Sequence, residues 1–191
     1  MSRPFVLGLT GSIGMGKTTT AEMFREEGVP VWDADAAVAR LYEPGGGAAE
    51  ALEALRPDAV QSGAVDRDAL KRWIGEDEGA LVAIESVVHP LVAEDRRAFV
   101  EKADAQVVLL DIPLLFETGG DRLVDRIVVV STDEQTQRDR VLARPGMDAA
   151  SFDRLLSRQV PDAVKRARAD HVIRTDDLET ARRAVRDLLD E

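Results

Sequence analysis

The stretch LTGSIGMGKTTTAEMF, residues 9–24, follows a short apolar run at the N-terminal end of the chain. Gly11-Ser-Ile-Gly-Met-Gly16-Lys17-Thr18 satisfies G-x-x-x-x-G-K-[ST], with a predicted strand before it and a predicted helix after it. Glycines let successive backbone N–H groups turn toward one centre and approach phosphate oxygens with no side chain in the way. The N-terminus of the following helix adds the positive end of its dipole. Lys17 supplies a mobile cation for β- and γ-phosphates, and the Thr18 hydroxyl is a ligand for Mg²⁺. Gly11, Ser12, Ile13, Gly14, Met15, Gly16, Lys17, Thr18 and Thr19 are therefore read as a nest for a nucleoside triphosphate. Switches, motors and kinases share such a nest, so it does not by itself define a reaction.

Outward from this loop, PFVLGLTG and VPVWDAD read as buried strands, with TTTAEMFREEG between them as a helix closing at Gly28. AQVVLLDIP (105–113), RIVVVST (126–132) and the weaker DHVIRT (170–175) have the apolar, β-branched character of strands covered on both faces. Helical patterns, notably DEQTQRDRVLA and DDLETARRAVRDLLDE, separate them. The alternation predicts a three-layer α/β fold around a parallel sheet of about five strands. About 70 residues separate Asp35 from Val107, far more than one crossover helix needs. AAVARLY, AAEALEAL, DRDALKRWI, EGALVAIESVV and PLVAEDRRAFVEKA within them carry helical apolar spacing, broken by PGGG and QSG. The expectation is a core of residues 1–35 and 106–191, with an inserted helical domain at 36–105.

Composition narrows the function. There is no cysteine, which excludes disulfides and thiolate chemistry, and His89 and His171 are too few for a histidine-rich metal site. The lead MSRPFVLGL is too short for a secretory signal and no run is long enough to cross a bilayer, so a cytoplasmic protein is expected. A net charge of −11 argues against nucleic acid and anionic membranes as partners. Residues 138–168 nevertheless hold eight basic against four acidic side chains. This island is either a site for a localised anion or a solvated face laced with ion pairs. The chain contains no asparagine, so the N-K-x-D element with which GTPase switches read guanine is absent.

Several residues carry two readings. Asp33 and Asp35 close the second predicted strand; at i and i+2 of an extended segment both carboxylates face the ligand crevice of an α/β sheet. One of them can then orient an acceptor hydroxyl and take its proton, or Asp35 simply caps the helix AAVARLY. Asp111 ends VVLLD, either as a carboxylate near Mg²⁺ or as a loop cap. Pro113-Leu114-Leu115-Phe116-Glu117 is an apolar acceptor wall closed by one carboxylate, or the buried first turn of a helix. His89-Pro90 starts a helix within the insertion, the histidine being either structural or functional. Arg140 and Arg144 share a helical face at i, i+4, as do Arg154 and Arg158, with ARPGMD as a hinge between the two helices; arginines on such a flap can neutralise triphosphate charge.

Taken in order, LTGSIGMGKTT, DAD, HP, DIPLLFE, RQVP and K-x-x-x-AD-x-VI resemble the dephospho-CoA kinase family over nearly the whole chain. The resemblance implies a core, a helical CoA-binding domain and a lid at about 138–168. It implies ATP and Mg²⁺, and dephospho-CoA as the acceptor, phosphorylated on its ribose 3′-hydroxyl to give coenzyme A. It also implies that Ser12 to Thr18 bind ATP, that Asp35 is the base with Asp33 beside it at the acceptor ribose, and that Arg140 and Arg144 are lid arginines. His89, Pro90 and residues 113–117 would face the CoA side. Three places depart from the family pattern: Ser12 replaces a usual glycine, Arg174-Thr-Asp-Asp177 replaces D-N-x-G, and an F-G pair is missing near Pro57-Asp58. The competing expectations are a kinase for another small hydroxyl compound and an ATP-binding regulatory module. The chain is expected to be a monomer or a weak homo-oligomer.

Overall fold

In a computed structural model, which describes residues 3–191, the chain runs β1 (Phe5–Thr10), α1 (Lys17–Glu26), β2 (Val31–Asp33), α2 (Ala34–Tyr42), α3 (Gly47–Leu55), β3 (Val60–Gln61) and β4 (Ala64–Val65). It continues through α4 (Arg67–Glu76), α5 (Ala80–Lys102), β5 (Val107–Asp111), β6 (Arg126–Ser131), α6 (Glu134–Leu142), α7 (Ala149–Leu156), α8 (Asp162–Arg168), β7 (His171–Arg174) and α9 (Leu178–Leu189). Contacts divide it into two units, one formed by the chain through Trp32 with Ala103–Glu191, the other by Asp33–Lys102.

The first unit is built on a five-stranded sheet in the order β2-β5-β1-β6-β7, with β1 parallel to β5 and β6, and β6 parallel to β7. Its inner strands β1, β5 and β6 are buried on both faces, so both must be covered. Leu7, Leu9, Leu109, Val128, Val130 and Ile173 share one core with Met23 and Phe24 of α1 and Ala181 and Val185 of α9. The alternate residues Val6, Val108, Leu110 and Val129 are equally buried. Register sets Leu9 opposite Asp111, so the ends of β1 and β5 emerge side by side.

The second unit is helical around Ala48, Leu52, Leu70, Trp73, Ile84 and Val88. It contains a feature that its sequence reads only as a break: Ser62 and Gly63, with φ of 52° and 79°, turn a two-stranded antiparallel hairpin of β3 and β4. Two positive φ values in succession match the twist of a tight hairpin. Pro90 does not start a helix either. It lies inside the 23-residue α5. One missing N–H is tolerated because Ile84 and Val88 before it are buried, and Leu91 and Val92 after it pack partly buried against the same core.

Candidate functional site

The phosphate loop is set between the end of β1 and the start of α1. Gly14 and Gly16 take φ of 82° and 88°, a left-handed conformation that glycine adopts without a side-chain clash. A Cβ on Gly11 would stand 2.4 Å from Val130 Cγ2, and one on Gly14 would stand 2.5 Å from Val141 Cγ2. Gly16 serves as the N-cap of α1 and gives it no side-chain capping bond, so the first helical N–H groups are left to a ligand. Lys17 begins the helix and its ammonium lies 2.5 Å from Asp111 Oδ1, whose side chain is almost fully buried. Thr18 and Thr19 follow, exposed, on the first turn. The structure thus brings Lys17 of the loop and Asp111 together, with Thr18 next to Lys17 on the same turn.

Asp33 and Asp35 do not share an extended segment. Helix α2 starts at Ala34, one residue after Asp33, and Asp35 sits exposed in its first turn. The cap is Asp33 rather than Asp35: its Oδ1 accepts the Ala36 N–H at 2.9 Å. Capping by Asp33 satisfies an orphan helix donor, and the acidic Asp35 in the same first turn complements the helix dipole. His89 and Pro90 are exposed on α5.

Residues 113–117 form a run of turns, not a helix. Leu115 is fully buried and Leu114 exposed, while the Phe116 ring lies 4.3 Å beneath the Arg168 guanidinium. Glu117 Oε1 accepts the Val160 N–H at 2.8 Å and lies 2.9 Å from the ammonium of the fully buried Lys165. Burial pushes the Glu117 carboxyl up, but the Lys165 and Val160 hydrogen bonds outweigh it and hold the group below its ordinary value.

Arg140 and Arg144 do not lie on one helical face. α6 ends at Leu142, because Pro145 disfavours helix at the residue before it, and Arg144 falls in the turn beyond. Arg158 likewise lies past the end of α7. Arg140 donates to the Thr175 carbonyl at 2.6 Å and to Thr175 Oγ1 at 3.2 Å.

Four side chains, three of them bonded to the phosphate loop, escaped sequence reasoning. Thr175 Oγ1 donates to the Met15 carbonyl at 2.8 Å, and Gln137 Nε2 to the Ile13 carbonyl at 2.7 Å. Gln159 Oε1 accepts the Ile13 N–H at 3.0 Å. Lys165 is the buried partner of Glu117. Gln159 and Lys165 stand inside RQVP and K-x-x-x-AD-x-VI, strings that carry the resemblance without indicating what either residue touches; no signal marks Gln137.

A family model described as dephospho-CoA kinase matches residues 5–180. Over 187 residues the chain is 56% identical to the dephospho-CoA kinase of Cereibacter sphaeroides, covering 98% of this chain and 95% of that one. The Ruegeria pomeroyi dephospho-CoA kinase is 52% identical over 185 residues, covering 97% and 94%. The crystal structure of TT1252 from Thermus thermophilus superposes with a TM-score of 0.86 at 34% identity, covering 98% of this chain and 97% of that one. With a glycine-built phosphate nest at the expected strand end and similarity along nearly its whole length, the chain belongs to the dephospho-CoA kinase family.

Proposed function

We propose that this chain moves the γ-phosphoryl group of ATP to the ribose 3′-hydroxyl of dephospho-CoA, giving coenzyme A and ADP. The observation that carries this reading is the nest at Gly14–Thr18, with Lys17 at its rim, in a chain matched from residue 5 to residue 180 by the dephospho-CoA kinase model. In this reading Lys17 leaves Asp111 for the β- and γ-phosphates when ATP enters, exchanging one anion for another. Asp35 takes the proton of the attacking hydroxyl, and Asp33 fixes the start of the helix that carries it. Arg140 and Arg144 act from the lid on phosphate charge, and His89, Pro90, Leu114, Leu115, Phe116 and Glu117 serve the CoA side, Leu115 and Glu117 by shaping that wall from within.

The donor set near the loop suits Mg²⁺. Thr18 offers a hydroxyl and Asp111 a carboxylate paired with Lys17, both hard oxygens. Among the described residues no cluster of three or more His, Cys, Asp or Glu exists to cage an ion, which fits a cation held largely by phosphate oxygens and water. When bound, Mg²⁺ neutralises charge on the phosphate oxygens. Incubation of the purified chain with Mg-ATP and dephospho-CoA, followed by mass spectrometry, tests the proposal. Equal yields of ADP and coenzyme A are expected; intact dephospho-CoA alongside intact ATP would reject it.

A further inference from the structure

Two carbonyls of the phosphate loop are held by side chains from elsewhere in the fold. Gln137, 4% exposed on α6, donates to the Ile13 carbonyl, and Thr175, 7% exposed after β7, donates to the Met15 carbonyl. In a trans peptide the C=O of one residue and the N–H of the next point in opposite directions. A carbonyl drawn outward by Gln137 therefore turns the Gly14 N–H inward, and one drawn outward by Thr175 does the same for Gly16.

The Thr175 hydrogen bond has a fixed direction. A guanidinium only donates, so Thr175 Oγ1 must accept from Arg140 Nη1, and its single hydrogen is left for an acceptor. The Met15 carbonyl at 2.8 Å is far better placed for it than the Ser131 carbonyl at 3.5 Å. Arg140 thus sets the polarity of the hydroxyl that sets the peptide. Packing fixes the same geometry from behind: Val141 Cγ2 and the Gln137 carbonyl would meet a Cβ on Gly14 at 2.5 and 3.0 Å, and Thr175 would meet one on Gly16 at 3.1 Å. The neighbouring Ile13 N–H is already taken by Gln159, which locks the peptide before the one Gln137 holds.

We propose that Gln137 and Thr175 are positioning residues for the triphosphate, each aiming one glycine N–H of the nest by holding the carbonyl of the same peptide unit. This rests on the triphosphate reading of the loop. The full chain and its Thr175→Val, Thr175→Ser, Gln137→Met and Gln137→Glu variants are titrated with Mg-ATP by calorimetry. Thr175→Val and Gln137→Met should each weaken binding about 5- to 10-fold, the worth of about one hydrogen bond. The KM for dephospho-CoA should stay within about twofold. Thr175→Ser, which keeps the hydroxyl, should bind as the parent does, and Gln137→Glu, which keeps the size but sets an acceptor against a carbonyl, should bind no better than Gln137→Met.

Amide spectra separate aim from packing. Mg-ATP should shift the Gly14 and Gly16 N–H signals of the parent; Thr175→Val should blunt the Gly16 response and Gln137→Met the Gly14 response. Parent-like affinity in both apolar variants would overturn the proposal, as would a Thr175→Ser loss equal to that of Thr175→Val. A parent that binds no Mg-ATP would overturn the triphosphate reading itself, and this inference with it. Should one variant fail to fold, the other carbonyl anchor provides the test alone.

Discussion

Lys17 and Asp111 form an ion pair at the phosphate loop, which the proposed triphosphate site exchanges for phosphate oxygens on Lys17. Lys17→Ala removes the cation that meets the phosphates; Mg-ATP affinity and kcat should both fall, the latter by at least about 100-fold, since charge stabilisation in the transition state is lost. Calorimetry and a steady-state ADP assay check this, and parent-like ATP binding would demote Lys17 to a counter-ion for Asp111. Asp35→Asn should lower kcat by about 100-fold or more while leaving Mg-ATP affinity within about twofold, as expected when a general base is lost. Near-normal turnover would leave Asp35 as a helix-dipole partner only. The motif residues are legible in sequence because a P-loop is local: eight consecutive positions specify both its backbone and its chemistry. Gln137 and Thr175 are not, because the loop carbonyls they hold lie more than 100 residues away and are brought near by sheet order.

At the level of elements, strands are the easiest to read, since β1, β5 and β6 are largely buried aliphatic runs; β7, with only Ile173 buried, gives a weaker signal. Helix ends were harder. The Asp33-Ala-Asp35 string satisfies both a strand end and a helix start, and the capping bond to Ala36 selects the second. Pro90 looks like a boundary in sequence, yet the apolar residues on either side of it in α5 keep one helix intact. The turns at 113–117 are tied to the stretch leading into α8 by Glu117, which Val160 and Lys165 hold ionised. A carboxyl held below its ordinary value of 4.5 contributes stability that is fully present above 4.5 and is lost as pH falls below it, through the lowered folded-state value. The parent should therefore lose Tm more steeply than Glu117→Gln between about pH 5 and pH 3. Parallel acid profiles would show that the pair contributes nothing to acid stability. Lys165→Met, which strands the Glu117 charge, should cost about 3 kcal/mol of stability at neutral pH, and adding Glu117→Gln should recover part of it. A Lys165→Met protein as stable as the parent would contradict that account of the pair.

For the molecule as a whole, the alternation of strands and helices and the excess length after β2 indicate a parallel-sheet core and an inserted helical unit; contacts in the structure divide the chain at Trp32–Asp33 and Lys102–Ala103. Sequence could not supply the order β2-β5-β1-β6-β7, because parallel strands of similar apolar character compete for the same neighbours. If the helical unit Asp33–Lys102 serves the acceptor, His89→Ala should raise the KM for dephospho-CoA several-fold and leave the KM for ATP unchanged; the reverse pattern in steady-state kinetics would move His89 to the nucleotide. The proposed transfer runs between two defined atoms, and a labelled phosphorus follows it. With γ-labelled ATP, Mg²⁺ and dephospho-CoA, the label should appear in the ribose 3′-phosphate of coenzyme A, and an acceptor lacking the 3′-hydroxyl should take up none. Label released only as inorganic phosphate, at a rate indifferent to dephospho-CoA, would contradict the account.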